Sequence, residues 1–183
     1  MKKLILTAVA AAALFSGAFA QTKSTSATSS GTKLSIGLDF GVPIGDWSEG
    51  YSIGFGGSGK AEIPVVQAFN FTLTAGYINY YFKKPYSDIA KAAGTDAFVG
   101  YVPLKAGGKY FFSSNFYGEA ELGALIGTNH DSRTSFVYSP GLGVSFPVSD
   151  KHDIDFGARY ESWSLEGGNT SQVAFRIAYK FGL

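Results

Sequence analysis

The chain has 183 residues, with 15 Lys and Arg against 14 Asp and Glu, a formal net charge of +1 and no Cys. That balance gives no electrostatic case for nucleic acid, and the lack of Cys excludes a disulfide framework and thiolate metal sites. Aromatic residues make up 16% of the chain and Gly numbers 24. Beyond the first twenty residues no stretch is long and apolar enough for a membrane helix. A chain of this kind that enters a membrane does so as a closed barrel, the form that satisfies every backbone group in lipid without helices.

Met1-Lys2-Lys3 is a short basic start, Leu4 to Phe15 an apolar stretch, and Ala18-Phe19-Ala20 a small-x-small cleavage site before Gln21. This is the pattern of a signal peptide, predicted over 1–20, and it implies export. Gln21 to Thr32 is rich in Ser and Thr without periodic apolar residues, so 21–32 is expected to be a flexible periplasmic leader. The fold is expected to fill 33–183.

From Lys33 onward, eight segments alternate apolar and polar or small residues: 33–42, 51–63, 69–82, 97–112, 115–127, 135–147, 153–163 and 171–183. Successive side chains of a strand point to opposite faces, so each segment has one apolar face and one mixed face. The apolar faces begin with Leu34, Ile36, Leu38 and Phe40 and end with Phe175, Ile177, Tyr179 and Phe181; no Lys, Arg, Asp or Glu interrupts them. A charge facing lipid near the midplane costs about 2–4 kcal/mol, which is a physical cause for that absence. The fold predicted is an all-β, eight-stranded antiparallel up-and-down transmembrane barrel. Val65 to Ala68, Ser113-Ser114 and Val148 to His152 read as short turns. Pro43 to Gly50, Lys83 to Asp96, Thr128 to Thr134 and Ser164 to Thr170 read as longer outer loops. Pro103 and Pro140 fall inside segments, where a closed barrel has no free edge, so bulges or strained registry are expected there.

By the same alternation the inward face carries Asp39, Lys60, Glu62, Lys105, Lys109, Glu119, Glu121, Asp155, Arg159, Glu161, Arg176 and Lys180, as many acids as bases. An eight-stranded barrel is about wide enough inside for side chains alone, so these groups are expected to neutralise one another and fill the lumen. Neighbouring strands are expected to bring Glu119 or Glu121 near Lys105 or Lys109, and Asp155, Arg159 or Glu161 near Arg176 or Lys180.

Strand count, loop asymmetry and the terminal Tyr179-Lys180-Phe181-Gly182-Leu183 resemble the small eight-stranded outer-membrane barrels of the OmpX and OmpA type, the outer membrane protein β-barrel domain group, over 33–183. The resemblance implies a cell outer membrane location in a Gram-negative envelope and a monomer in contact with outer-membrane lipid and lipopolysaccharide. It also implies recognition of the last strand by the barrel assembly machinery; many members end on an aromatic residue, where this chain ends on Leu183. The expected role is structural or in surface interaction through outer loops, with no cofactor and no metal. The alternative is a narrow porin-like channel for small solutes.

Asn129-His130-Asp131-Ser132 is the most suggestive string for an enzyme, with His130 and Ser132 two apart and Glu161 or Glu166 available to orient the imidazole. It is similar to the His-x-Ser element of outer-membrane lipid A deacylases, although the Asn that follows Ser in that family is Arg133 here. That makes a lipid A deacylase-like hydrolase the third reading. His152 is expected to be a solvated turn residue. Gly54 to Gly59 lacks the Gly-Lys-Ser/Thr helix start of a phosphate loop and is assigned to strand curvature and packing. Lys83, Lys84, Tyr86, Asp88 and Lys91 mark the longest outer loop as the candidate interaction segment.

Overall fold

The computed structural model describes residues 31–128, 133–165 and 168–183. The segments expected to be a signal peptide (1–20) and, up to residue 30, a leader lie outside the described residues. Eight strands follow one another around a closed antiparallel barrel. They are β1 (Lys33–Ile44), β2 (Tyr51–Val66), β3 (Phe69–Phe82), β4 (Phe98–Phe111), β5 (Phe116–Gly127), β6 (Thr134–Ser149), β7 (His152–Leu165) and β8 (Gly168–Gly182). Each pairs with its sequence neighbour, and β1 closes on β8 from Lys33↔Gly182 to Ile44↔Ser171. The seam is finished by the Leu183 amide donating to the Thr32 carbonyl at 3.0 Å. Closure leaves no edge strand, which is what lipid demands.

The two faces divide as the alternation predicts. Outward, Ile36 is 70% exposed, Leu122 57% and Leu142 65%, surfaces that a protein in water would bury. Inward, the buried residues are dominated by Lys, Arg, Asp, Glu, Ser and Thr. The molecule thus has its apolar surface outside and its polar core within, the arrangement of a transmembrane β-barrel. Glycine makes room on both faces. A Cβ at Gly54 would run into the Tyr80 ring, one at Gly37 would meet the Arg176 guanidinium at 2.9 Å, and one at Gly108 would strike the Phe69 ring on the lipid side.

Connections at one end are tight: Gln67-Ala68, Phe112 to Asn115, and Asp150-Lys151. At the other end two short helices intervene, α1 (Trp47–Gly50) and α2 (Tyr86–Ala92). Three expectations need correction. The last outer loop is not long, because β7 runs to Leu165 and β8 starts at Gly168, paired with it. His152 is not a free turn residue; it opens β7, half-buried, with its ring stacked on Tyr179 at 5.5 Å. Pro103 and Pro140 produce no bulge. Pro103 pairs with Leu125 and Pro140 with Ala120. On the other side the ladder lapses for Val102 and Pro103 and for Ser139 and Pro140, then resumes in unchanged register. A missing N–H affects one flank of a strand only, and an interruption of two residues absorbs it. The register shifts lie instead near strand ends, between Tyr51 and Gly54, Pro64 and Val66, and Pro147 and Ser149.

Candidate functional site: the barrel lumen and its mouth

The interior has three levels. Nearest the tight turns, Lys33 Nζ meets Asp153 Oδ2 at 2.6 Å, and above it Glu62 Oε1 accepts from Lys109 at 2.6 Å and lies 3.1 Å from Lys180 Nζ. Asp155 Oδ2 is 3.1 Å from Lys180 and 3.5 Å from Lys109, and its other oxygen accepts from the Tyr117 hydroxyl at 2.7 Å. The Lys109 ammonium also lies 4.0 Å from the centre of the Tyr117 ring, a cation–π contact removed from water.

At mid-height Lys60 reaches across the lumen from β2 to Glu119 and Glu121 of β5. Lys105 donates to Glu161 at 2.6 Å and is 3.3 Å from Glu121. Arg159 donates through Nη2 to Asp39 at 2.9 Å and through Nε to Glu161 at 2.7 Å. Neutral side chains take up further valences: Thr74 donates to Glu121 at 2.6 Å and Gln172 to Glu161 at 2.6 Å. Two cavities of about 20 Å³ each, both lined by Lys60, Arg159 and Arg176, lie between these groups and are water-sized.

All twelve charged residues assigned to the lumen point inward, and the neighbouring-strand contacts Lys105–Glu121, Lys109–Glu119 and Lys180–Asp155 form. Of the two bases of β8, Lys180 takes the acid and Arg176 is held by hydroxyls. Its Nε donates to Ser58 Oγ at 2.8 Å and its Nη2 to Ser35 Oγ and the Ser58 carbonyl at 3.2 Å each, while Ser58 Oγ donates to Asp39 at 2.5 Å. The stagger of the strands places serines of β1 and β2 beside Arg176 and raises the acids of β7 toward Arg159 and Lys105. Sequence reading also passed over Lys33, Asp153, Tyr117 and the buried hydroxyls, although their inward parity was available to it.

The third level is apolar. Ile78, Tyr80, Leu125, Val137 and Trp163 form a buried cluster, with Trp47, Tyr51, Val99 and Tyr101 packed against it. Trp47 reaches it from α1, outside the barrel wall, with its ring 4.6 Å from Tyr80 and 4.5 Å from Trp163. The Tyr80 hydroxyl points down and donates to Gln172 at 2.6 Å, joining this cap to the charged level. Inward parity of Tyr80, Tyr101 and Trp163 was the signal for it in the sequence.

Of the outer-segment candidates, Lys83 donates from Nζ to the Ser48 carbonyl at 2.7 Å, tying the two helical segments together. Tyr86 and Ile89 on α2 are exposed, and α2 buries no residue. His130 and Ser132 lie outside the described residues, as does Glu166, so no arrangement of that triad is described.

Comparison of the sequence with protein-family models and with curated proteins returns no match. Comparison of the structure with solved structures does. The attachment invasion locus protein Ail of Yersinia pestis superposes with a TM-score of 0.54 at 17% identity, over 84% of this chain and 100% of that one. Neisserial surface protein A, NspA, gives a TM-score of 0.60 at 17% identity, over 84% of this chain and 98% of that one. The chain has the fold of the small outer-membrane β-barrels. A further structure of Ail, in complex with the heparin analogue sucrose octasulfate, matches with a TM-score of 0.52 at 17% identity, over 82% of this chain and 97% of that one. At such identity what is shared by these barrels is architecture, and the lumen and outer segments of this chain have to be argued from its own residues.

Proposed function

We propose that this protein is a monomeric outer-membrane barrel whose lumen is closed by its own charge-paired side chains and whose role lies in envelope structure or surface interaction through its outer segments. The observation that carries the reading is the interior network. Lys60, Lys105, Lys109, Arg159 and Lys180 each contact two or more carboxylates, and the two cavities beside Lys60, Arg159 and Arg176 are water-sized. Ions crossing such a lumen would have to separate pairs that are already desolvated, at a cost of several kcal/mol per pair. The end bearing α1 and α2 faces outward in this reading, since tight turns face the periplasm in barrels of this kind. Aromatic residues toward the strand ends, such as Phe69, Phe71, Tyr110 and Phe112, then lie at the lipid interface, with lipopolysaccharide around the outer rim. The last strand, β8, is the segment offered to the barrel assembly machinery.

The likeness in fold to Ail, an attachment invasion locus protein, and to NspA, a surface protein, favours the interaction role. In this chain the segment proposed to carry it is Lys83 to Asp96, with Lys84, Tyr86, Asp88, Ile89 and Lys91 on or beside α2.

Single-channel recording in planar bilayers tests the closed lumen, using refolded barrel whose folding is checked by heat-modifiable gel mobility. Silence from folded barrel is the expected result; current steps that scale with salt would instead make the protein a narrow channel. The hydrolase alternative rests on His130 and Ser132 alone, and retention of any lipid A deacylation by Ser132→Ala would remove it.

A further inference from the structure

We propose that the lumen mouth beside α1 and α2 is a binding site for a small, uncharged, planar aromatic compound bearing one hydrogen-bond acceptor, held closed in this structure by the indole of Trp47. The site goes beyond the proposed function and rests on it in one respect: the closed lumen below makes the mouth a place of capture and not of passage.

The walls belong to the barrel. Tyr80, Tyr101 and Trp163 pack edge to face or tilted at 5.2–6.0 Å, above Ile78, Leu125 and Val137. The occupant does not. Trp47 comes from a four-residue helix that buries none of its residues and has no side-chain cap, following Gly45 at a φ of +63°. An aromatic-walled space filled by a ring that enters from outside the barrel wall is a space another ring of similar shape can take.

A second observation specifies the ring. Trp163 is 1% exposed, yet its Nε1 has no hydrogen-bond partner among the described residues. A buried donor left unpaired destabilises the site that holds it. Trp47 cannot relieve it, because an indole offers a donor and no acceptor. In the proposed site a planar ring in that space carries an acceptor nitrogen or oxygen for this donor. The charges nearest the floor, Lys105, Arg159 and Glu161, are already paired among themselves, which favours a neutral ligand.

The lid is wired to the neighbouring segment. The Lys83 amide donates to the Gly50 carbonyl at 2.8 Å and its ammonium to the Ser48 carbonyl at 2.7 Å. Lifting Trp47 therefore pulls on the residues that lead into α2, so occupancy of the mouth is transmitted to the outer surface.

The test uses the full-length barrel refolded in detergent and two probes followed by fluorine NMR: 6-fluoroquinoline, with an acceptor, and 2-fluoronaphthalene, of the same shape without one. Trp47→Ala is expected to bind the quinoline saturably and about tenfold more tightly than the parent, a difference of about 1.4 kcal/mol. It should also prefer quinoline over naphthalene by about fivefold, the worth of one buried hydrogen bond. Trp163→Phe in that background should abolish the preference. Absence of saturable binding by a folded Trp47→Ala barrel, or equal binding of the two probes, overturns the proposal. Should Trp47→Ala not fold, the parent is titrated while near-UV circular dichroism follows the Trp47–Trp163 pair, the only two tryptophans of the chain. Loss of the pair signal on adding quinoline supports the site, and an unchanged signal at saturating probe rejects it. Neither readout depends on conductance, so a conducting lumen would overturn the closed-lumen reading while leaving binding at the mouth to be decided on its own.

Discussion

Arg176 and Glu62 both lie buried in the lumen, and their surroundings predict different losses. Arg176 is compensated by serines, with Ser58 passing the interaction on to Asp39. Arg176→Ala removes hydrogen bonds to neutral groups and is expected to lower stability by about 1–3 kcal/mol. Glu62 lies between two ammonium groups, so Glu62→Gln leaves Lys180 with Asp155 alone and Lys109 with Asp155 and Glu119 at 3.5 Å each, one carboxylate short in a buried cluster, a loss of about 3–5 kcal/mol. Urea unfolding midpoints in detergent should therefore fall further for Glu62→Gln, and the reverse order would contradict the pairing described. A steric prediction belongs beside these. Gly54→Ala drives a methyl into the Tyr80 ring and should cost about 1–3 kcal/mol, part of which returns in the double variant with Tyr80→Leu. Which way each of these residues points was legible from parity, because a one-residue slip would expose the whole charged set to lipid. Partners were not: which rung of one strand faces which rung of another depends on barrel stagger. That is why parity offers the acids of β7 to Arg176 and Lys180 alike, while in the barrel Lys180 takes Asp155 and Arg176 meets Ser58 of β2.

At the level of elements, the strands were legible to within a few residues and the interruptions were not. Alternation continues through Pro103 and Pro140 because each proline makes its pairing on one flank and needs no donor on that side. Pro140→Ala restores an N–H toward β7, where the ladder lapses, so the variant should unfold at an unchanged or higher urea concentration, by up to about 1 kcal/mol. A loss of stability there would mean that the proline ring packs in a way the pairing does not capture. The shifts in register fall near strand ends, where a residue can be added without flipping a buried face, and a periodic pattern carries no mark of them. The last outer connection was misjudged for a related reason: Ser, Gly and Asn looked like loop residues, while pairing of β7 with β8 continues to Leu165↔Gly168. α2 is the opposite case, an element with no buried residue. Replacing Tyr86–Ala92 by a short Gly-Ser linker should leave heat-modifiable mobility intact while removing whatever binding the outer segment contributes. A barrel that no longer folds would assign α2 a structural role instead.

For the molecule as a whole, the apolar exterior and polar interior are one constraint seen from two sides. Large apolar residues such as Ile36, Leu122, Leu142 and Ile177 are exposed over the mid-height of the strands, while Lys109, Lys180, Glu62 and Glu121 are nearly inaccessible within. In water that distribution would be inverted; in lipid it satisfies both surfaces, and closure of β1 on β8 removes the last free strand edge. A charge on the belt should then be penalised by depth. Leu122 stands in the middle of β5, opposite Ala106 and Tyr138, so Leu122→Arg is expected to cost about 2–4 kcal/mol on folding into lipid vesicles. Val65, equally exposed but beside the turn after β2, should tolerate arginine at about 0–1 kcal/mol, because its side chain reaches the headgroups. Urea-dependent folding into vesicles measures both. Equal penalties at the two positions would mean that the apolar exterior contacts something other than a bilayer, such as a protein partner covering the belt along its height. A steep difference ties the belt to a membrane of defined thickness, with the charged lumen as a core that only such a barrel can carry.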